Sequence, residues 1–116
     1  MTVHARPVDL EHLARYTGGD AALNAEILKL FSDQSAELMI QLQAVLEKRD
    51  PKRWKEIAHS LKGAARGIGA FALADAAANA EPVSPARDNL AAVNALQELK
   101  AQTEIVQRFI GAYLAG

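Results

Sequence analysis

Between a few well-placed breaks, apolar residues in this chain recur at intervals of three and four, and β-branched residues nowhere alternate with polar ones. The first pattern marks helices with one buried face; the second would have marked strands. A chain of 116 residues written this way has the length of one domain, and that domain must be built of packed helices. The breaks are Gly18-Gly19, Asp50-Pro51, Gly67 to Gly69 and Pro82 to Pro85.

The first helical stretch runs from Asp9 to about Thr17, with Asp9 as its cap and Leu10 and Leu13 facing inward. The second runs from Asp20 to about Arg49, with an inward stripe of Leu23, Ile27, Leu30, Phe31, Leu38, Leu42, Val45 and Leu46. Asp50 can cap the third, and Pro51 suits its first position; it extends to Gly67 or Gly69. Ala70 to Ala80 reads as a fourth helix, nearly all alanine. The last spans about Ala86 to Ala115 on a seam of Leu90, Val93, Leu96, Leu99, Thr103, Val106, Ile110 and Tyr113. The expected fold is all-α: an antiparallel four-helix bundle with the short N-terminal helix capping one end, one domain over residues 1–116.

Composition narrows the function. The chain is 50% hydrophobic but only 5% aromatic, so aliphatic residues and alanine must fill the core. Thirteen basic and 14 acidic residues leave a net charge of −1, far from the basic excess of a nucleic-acid binder. No apolar run approaches the ~20 residues that cross a membrane. Asp9 and Glu11 interrupt any signal-peptide pattern. The absence of cysteine excludes disulfides, thiolate metal sites and a thiol nucleophile, and fits a cytoplasmic protein. The Met1 start and the helical pattern reaching almost to Gly116 lead us to expect a free-standing protein; separately, a monomer is expected.

The third helix carries the chemistry. With about 100° per residue, Lys52, Lys55, Lys62, Gly63 and Arg66 fall within roughly 60° of His59. Trp54, Ile57, Leu61, Ala64, Ala65 and Ile68 fall on the far side. His59 is therefore expected on the polar face, away from the core. Segment 51–69 holds five basic residues and one acid, a local net of +4, and the remaining residues net −5. A nearly neutral chain has gathered its positive charge around one imidazole, which favours something anionic. Neutral imidazole is a nucleophile, and a neighbouring ammonium can stabilise a phosphoryl group attached to it. Lys62 at i+3 and Lys55 at i−4 are its neighbours on the helix surface, and Lys62 is expected to be exposed. Gly63 at i+4 leaves the ring unscreened. A mid-helix glycine costs about 0.5–1 kcal/mol against alanine, so it asks for a reason.

The run from Ala58 to Ala70 resembles the signature of the histidine-containing phosphotransfer (HPt) domain family. His59, Leu61, Lys62, Gly63, Ala65, Gly69 and Ala70 match it in register, and local similarity extends from about Ile57 to Glu81. The resemblance implies a phosphocarrier, not an enzyme, in a multistep His–Asp phosphorelay of two-component signalling. His59 would be phosphorylated, Lys62 would stabilise the phosphoryl group, and Gly63 would keep the site open. The implied partners are response-regulator receiver domains and a hybrid histidine kinase. The receiver would bring the Mg²⁺, and this chain would need no cofactor of its own. Lys52, Lys55 and Arg66 become the expected docking rim; the family position of Arg66 is often small. In the following helix Leu73 and Glu81 match many relatives, whereas Ala76, Ala77 and Ala80 replace bulkier residues.

Other features carry less. His4 and His12 are not spaced with His59 as metal ligands, and no metal site is expected. Trp54, Phe71 and Phe109 are expected in the core or at its edge, Tyr16 and Tyr113 half-buried. An apolar anchor for docking is expected from Ile68, Phe71 or the first helix. The competing class is a non-catalytic bundle that binds receivers without taking up phosphate. An autophosphorylating kinase lacks a Gly-rich nucleotide motif here.

Overall fold

A computed structural model describes residues 6–116. Five helices follow in order among them: α1 (Leu10–Thr17), α2 (Ala21–Lys48), α3 (Pro51–Ile68), α4 (Phe71–Ala80) and α5 (Asn89–Ala115). No strand occurs among the described residues. The all-α bundle expected from the periodicity is the fold found.

Aspartates start four of the five. The Asp9 carboxylate accepts from the N–H groups of Glu11 and His12, Asp20 from Leu23, Asp50 from Arg53, and Asp88 from Ala91. Each satisfies donors that the first turn leaves open. α4 alone has no side-chain cap. Gly18, Arg49 and Gly69 end α1, α2 and α3 in the left-handed conformation.

α2, α3, α4 and α5 pack in a closed ring, α2 against α3, α3 against α4, α4 against α5 and α5 against α2; α1 lies on α2 and α3. Cross-links fix the antiparallel register. Arg53 reaches Gln41 from α3 to α2, while Lys100 and Gln107 of α5 reach Gln43 and Ser32 of α2. The bundle is a rod with extents of 45 × 29 × 20 Å.

Leu13, Leu28, Leu42, Trp54, Ile57, Leu61, Leu73, Leu99 and Ile110 are among the side chains sealed in the core. Ala74, Ala77 and Ala80 of α4 are buried too, and their methyl groups allow α4 to lie close to its neighbours.

Three expectations change. α5 begins at Asn89, not Ala86, because residues 84–88 form a turn in which Ser84 O accepts from Asp88 N–H and Asp88 then caps the helix. In α2 the buried line is Asn24, Leu28, Phe31, Ser35, Met39, Leu42, Val45 and Leu46, while Leu23 and Leu30 are exposed. An apolar-rich helix offers two adjacent stripes, and the one chosen includes small polar residues; Ser35 satisfies its hydroxyl on Ser32 O. In α5, Ala92 is buried and Leu90 is exposed, so the seam begins one step later.

Candidate functional site

α3 presents one face to the core and one to solvent, and His59 stands on the solvent face with 70% of its side chain exposed. Lys52, Lys55, Gly63 and Arg66 are exposed on the same face. Lys52, Lys55 and Arg66 form no ion pair among the described residues. The helical spacing thus brings the expected rim together around the imidazole.

Lys62 departs from expectation. Its side chain is only 17% exposed, because it leans toward the end of α4 and pairs with Glu81, Nζ to Oε2 at 3.0 Å. The other oxygen of the same carboxylate, Oε1, lies 2.6 Å from His59 Nδ1. Glu81 therefore bridges the imidazole and the ammonium. Its own side chain is 18% exposed, with its carboxylate wedged between α3 and the α4 terminus.

The charges settle the proton. The hydrogen bond from Lys62 holds the Glu81 carboxyl below the ordinary carboxylate range; the bond to His59 adds to this, and partial burial opposes both more weakly. An ionised carboxylate only accepts hydrogen bonds. The proton of a neutral ring is therefore assigned to Nδ1, which leaves the lone pair on Nε2. A ring held by one nitrogen, with its other nitrogen nucleophilic, is poised for attack on an electrophile brought from solvent.

Gly63 has room around it. A Cβ there would meet nothing within 4 Å outside its own helix, and the same is true of Gly67. Neither glycine is needed for packing inside the molecule. Together they form the bare floor of a shallow depression lined by His12, Tyr16, Arg66 and Phe71. The His12 ring stands edge-on to Phe71 and Tyr16, with centroid distances of 5.1 and 5.8 Å. A continuation lined by Leu13, Tyr16 and Ile27 runs to α2.

Of the expected docking anchors, Ile68 is buried and Phe71 is half-buried in the depression. Tyr16 is exposed rather than half-buried, because it projects from α1 over the open glycine floor. His4 lies outside the described residues. Among those described, no three His, Asp or Glu side chains gather as a metal-ligand set, and no helix is long and apolar enough to cross a membrane.

Glu81 is the member of the site that had no assigned task in the sequence analysis. It lies 22 positions beyond His59, outside the reach of any helical wheel. The available signals were the match already noted for it with Leu73 and its place at a helix end just before Pro82.

A family model described as "Hpt domain" matches residues 26–109, most of the chain. No curated protein and no solved structure gave a match.

Proposed function

The chain belongs to the Hpt domain family, whose members serve in histidine phosphotransfer within phosphorelays, and from that premise we propose that His59 is the phosphoryl carrier, through Nε2. The observation that supports this is the three-residue cluster: an outward imidazole tied at Nδ1 to Glu81, with Lys62 on the same carboxylate.

In the forward step the Nε2 lone pair attacks the phosphorus of an aspartyl phosphate on a receiver domain. The N–P bond forms as the bond from phosphorus to the aspartyl oxygen breaks, and that electron pair returns to the aspartate carboxylate. The ring gains positive charge, which Glu81 stabilises through the Nδ1 proton. Lys62, already beside that carboxylate, is placed to neutralise the incoming phosphoryl oxygens. Discharge to a second receiver reverses these steps. Little covalent chemistry is asked of the carrier, since phosphoryl transfer depends mainly on in-line positioning and charge stabilisation. We assign Mg²⁺ to the receiver's side of the exchange.

Receivers, and a hybrid histidine kinase that carries one, are the partners this reading requires. Lys52, Lys55 and Arg66 form the cationic rim, and the depression beside Gly63 and Gly67 accepts an apolar element of the visitor.

The test is transfer from labelled, phosphorylated receivers to the wild type and to His59→Gln. The wild type is expected to take up acid-labile, base-stable label and to return it, and the variant to take up none while keeping its helicity. A variant that still accepts label removes His59 from its role. A wild type that binds receivers but takes no label replaces the carrier with an adaptor.

A further inference from the structure

The buried indole of Trp54 makes a single directed contact, and it falls beside the active carboxylate. Trp54 is fully buried on α3, and its Nε1–H donates to the backbone carbonyl of Ala80 at 2.9 Å. Ala80 is the last residue of α4 and the one before Glu81. The same carbonyl also accepts from Val83 N–H at 3.1 Å, closing a turn around Glu81 and Pro82.

Local sequence does not favour that turn. A proline biases the residue before it toward extended backbone and is disfavoured at the third position of the commonest turn. Glu81 nevertheless holds helical angles, φ −53 and ψ −45. At the end of α4, Ala76, Ala77 and Ala80 are buried methyl groups with no side-chain polar atom, and Glu81 N–H continues the helix by donating to Ala77 O at 3.0 Å. The indole N–H is a directed polar tie from the core to this corner.

We propose that Trp54 is a positioning residue: by holding the Ala80 carbonyl it sets the corner that aims the Glu81 carboxylate at His59 Nδ1, and so fixes which ring nitrogen is free. Its N–H is directed to the Ala80 carbonyl, so its effect on the imidazole runs through Glu81. The aim is to a single hydrogen bond of 2.6 Å, and a corner free to swing would spread it over geometries in which the bond is weak. This rests on the reading of His59 as the carrier, but its structural half can be measured without any phosphoryl transfer.

The experiment removes the N–H while keeping an aromatic ring: Trp54→Phe, and replacement of Trp54 by 3-benzothienylalanine, which preserves the bicyclic shape and lacks the donor. Ala80 O keeps its bond from Val83, so no buried acceptor is orphaned in either protein. Carbon NMR follows the Glu81 carboxyl titration and nitrogen NMR follows the two His59 ring nitrogens. Both variants are expected to keep wild-type helicity, to titrate Glu81 closer to the ordinary carboxylate range, and to lose the clean Nδ1–H tautomer. Transfer from a phosphorylated receiver should slow about fivefold, the scale of one hydrogen bond. In a Glu81→Ala background the same replacements should change the transfer rate no further. An isostere that leaves both NMR signatures at wild-type values overturns the proposal. So does an equal slowing with and without Glu81, which would show general loosening of the core. Shifted NMR signatures in a protein whose His59 takes no phosphate uphold the Trp54–Glu81 link and reject the carrier reading. Should the phenylalanine variant not fold, the isostere decides alone.

Discussion

At the scale of single residues, one carboxylate organises two basic groups, and its titration makes the arrangement testable. Glu81 is held below the ordinary carboxylate range when folded, so the unfolded chain binds its proton first. The stabilisation it gives is fully present above that range and disappears as pH falls through its lower, folded value. Thermal unfolding followed on acidification should therefore show a fall in midpoint that Glu81→Gln flattens. The same variant should slow transfer about tenfold at neutral pH, since a neutral amide no longer stabilises the charged ring. Lys62→Ala should also slow transfer about tenfold by removing a cation from the developing charge, and should lower the unfolding midpoint at neutral pH, since it takes away the main partner of the ionised Glu81 carboxylate. It should move the Glu81 titration upward more than any change at His59, because Lys62 is the larger cause of the depression. His59, Lys62 and Gly63 were legible because they lie within four residues of one another on one helix, where spacing dictates neighbourhood. Glu81 was not, because its nearness depends on how α4 ends.

At the scale of the helix, two glycines in one segment have opposite reasons. Gly63 sits in ordinary helical backbone with open space where a side chain would be. Gly63→Ala should raise stability by about 0.5–1 kcal/mol in urea unfolding and still slow receiver-dependent transfer. Gly69 adopts φ +82, and a Cβ there would come 2.6 Å from Asp9 O. Gly69→Ala should lower stability by about 1–3 kcal/mol, measured the same way. The wheel of α3 was read correctly because its polar and apolar faces differ sharply in charge. α2 was misread in part because leucine and isoleucine occupy more than one side of it. Which stripe turned inward was decided by its contacts with α3 and α5, and those admitted Asn24 and Ser35 while leaving Leu30 in solvent. The α5 start was missed because Asp88 was not read as a cap.

At the scale of the whole molecule, a net charge of −1 conceals a cationic face centred on α3. If docking follows that face, added salt should weaken binding of a receiver domain in titration calorimetry, mainly by slowing association. Changing Lys52 and Lys55 together to glutamine should reduce that salt dependence. The ring of four helices could be anticipated from their lengths and short connections; the depression beside the histidine could not, since three separate elements line it. Its far wall is α1, at eight residues too short to persist as an isolated helix. That wall is fastened by Asp9 N–H to the carbonyl of Gly69, where α3 turns into α4. The cleft's two sides thus share a mechanical joint at the corner between α3 and α4. Loosening this joint should alter how wide the jaw stands, so the spacing of the cleft is set by a backbone bond outside its own lining.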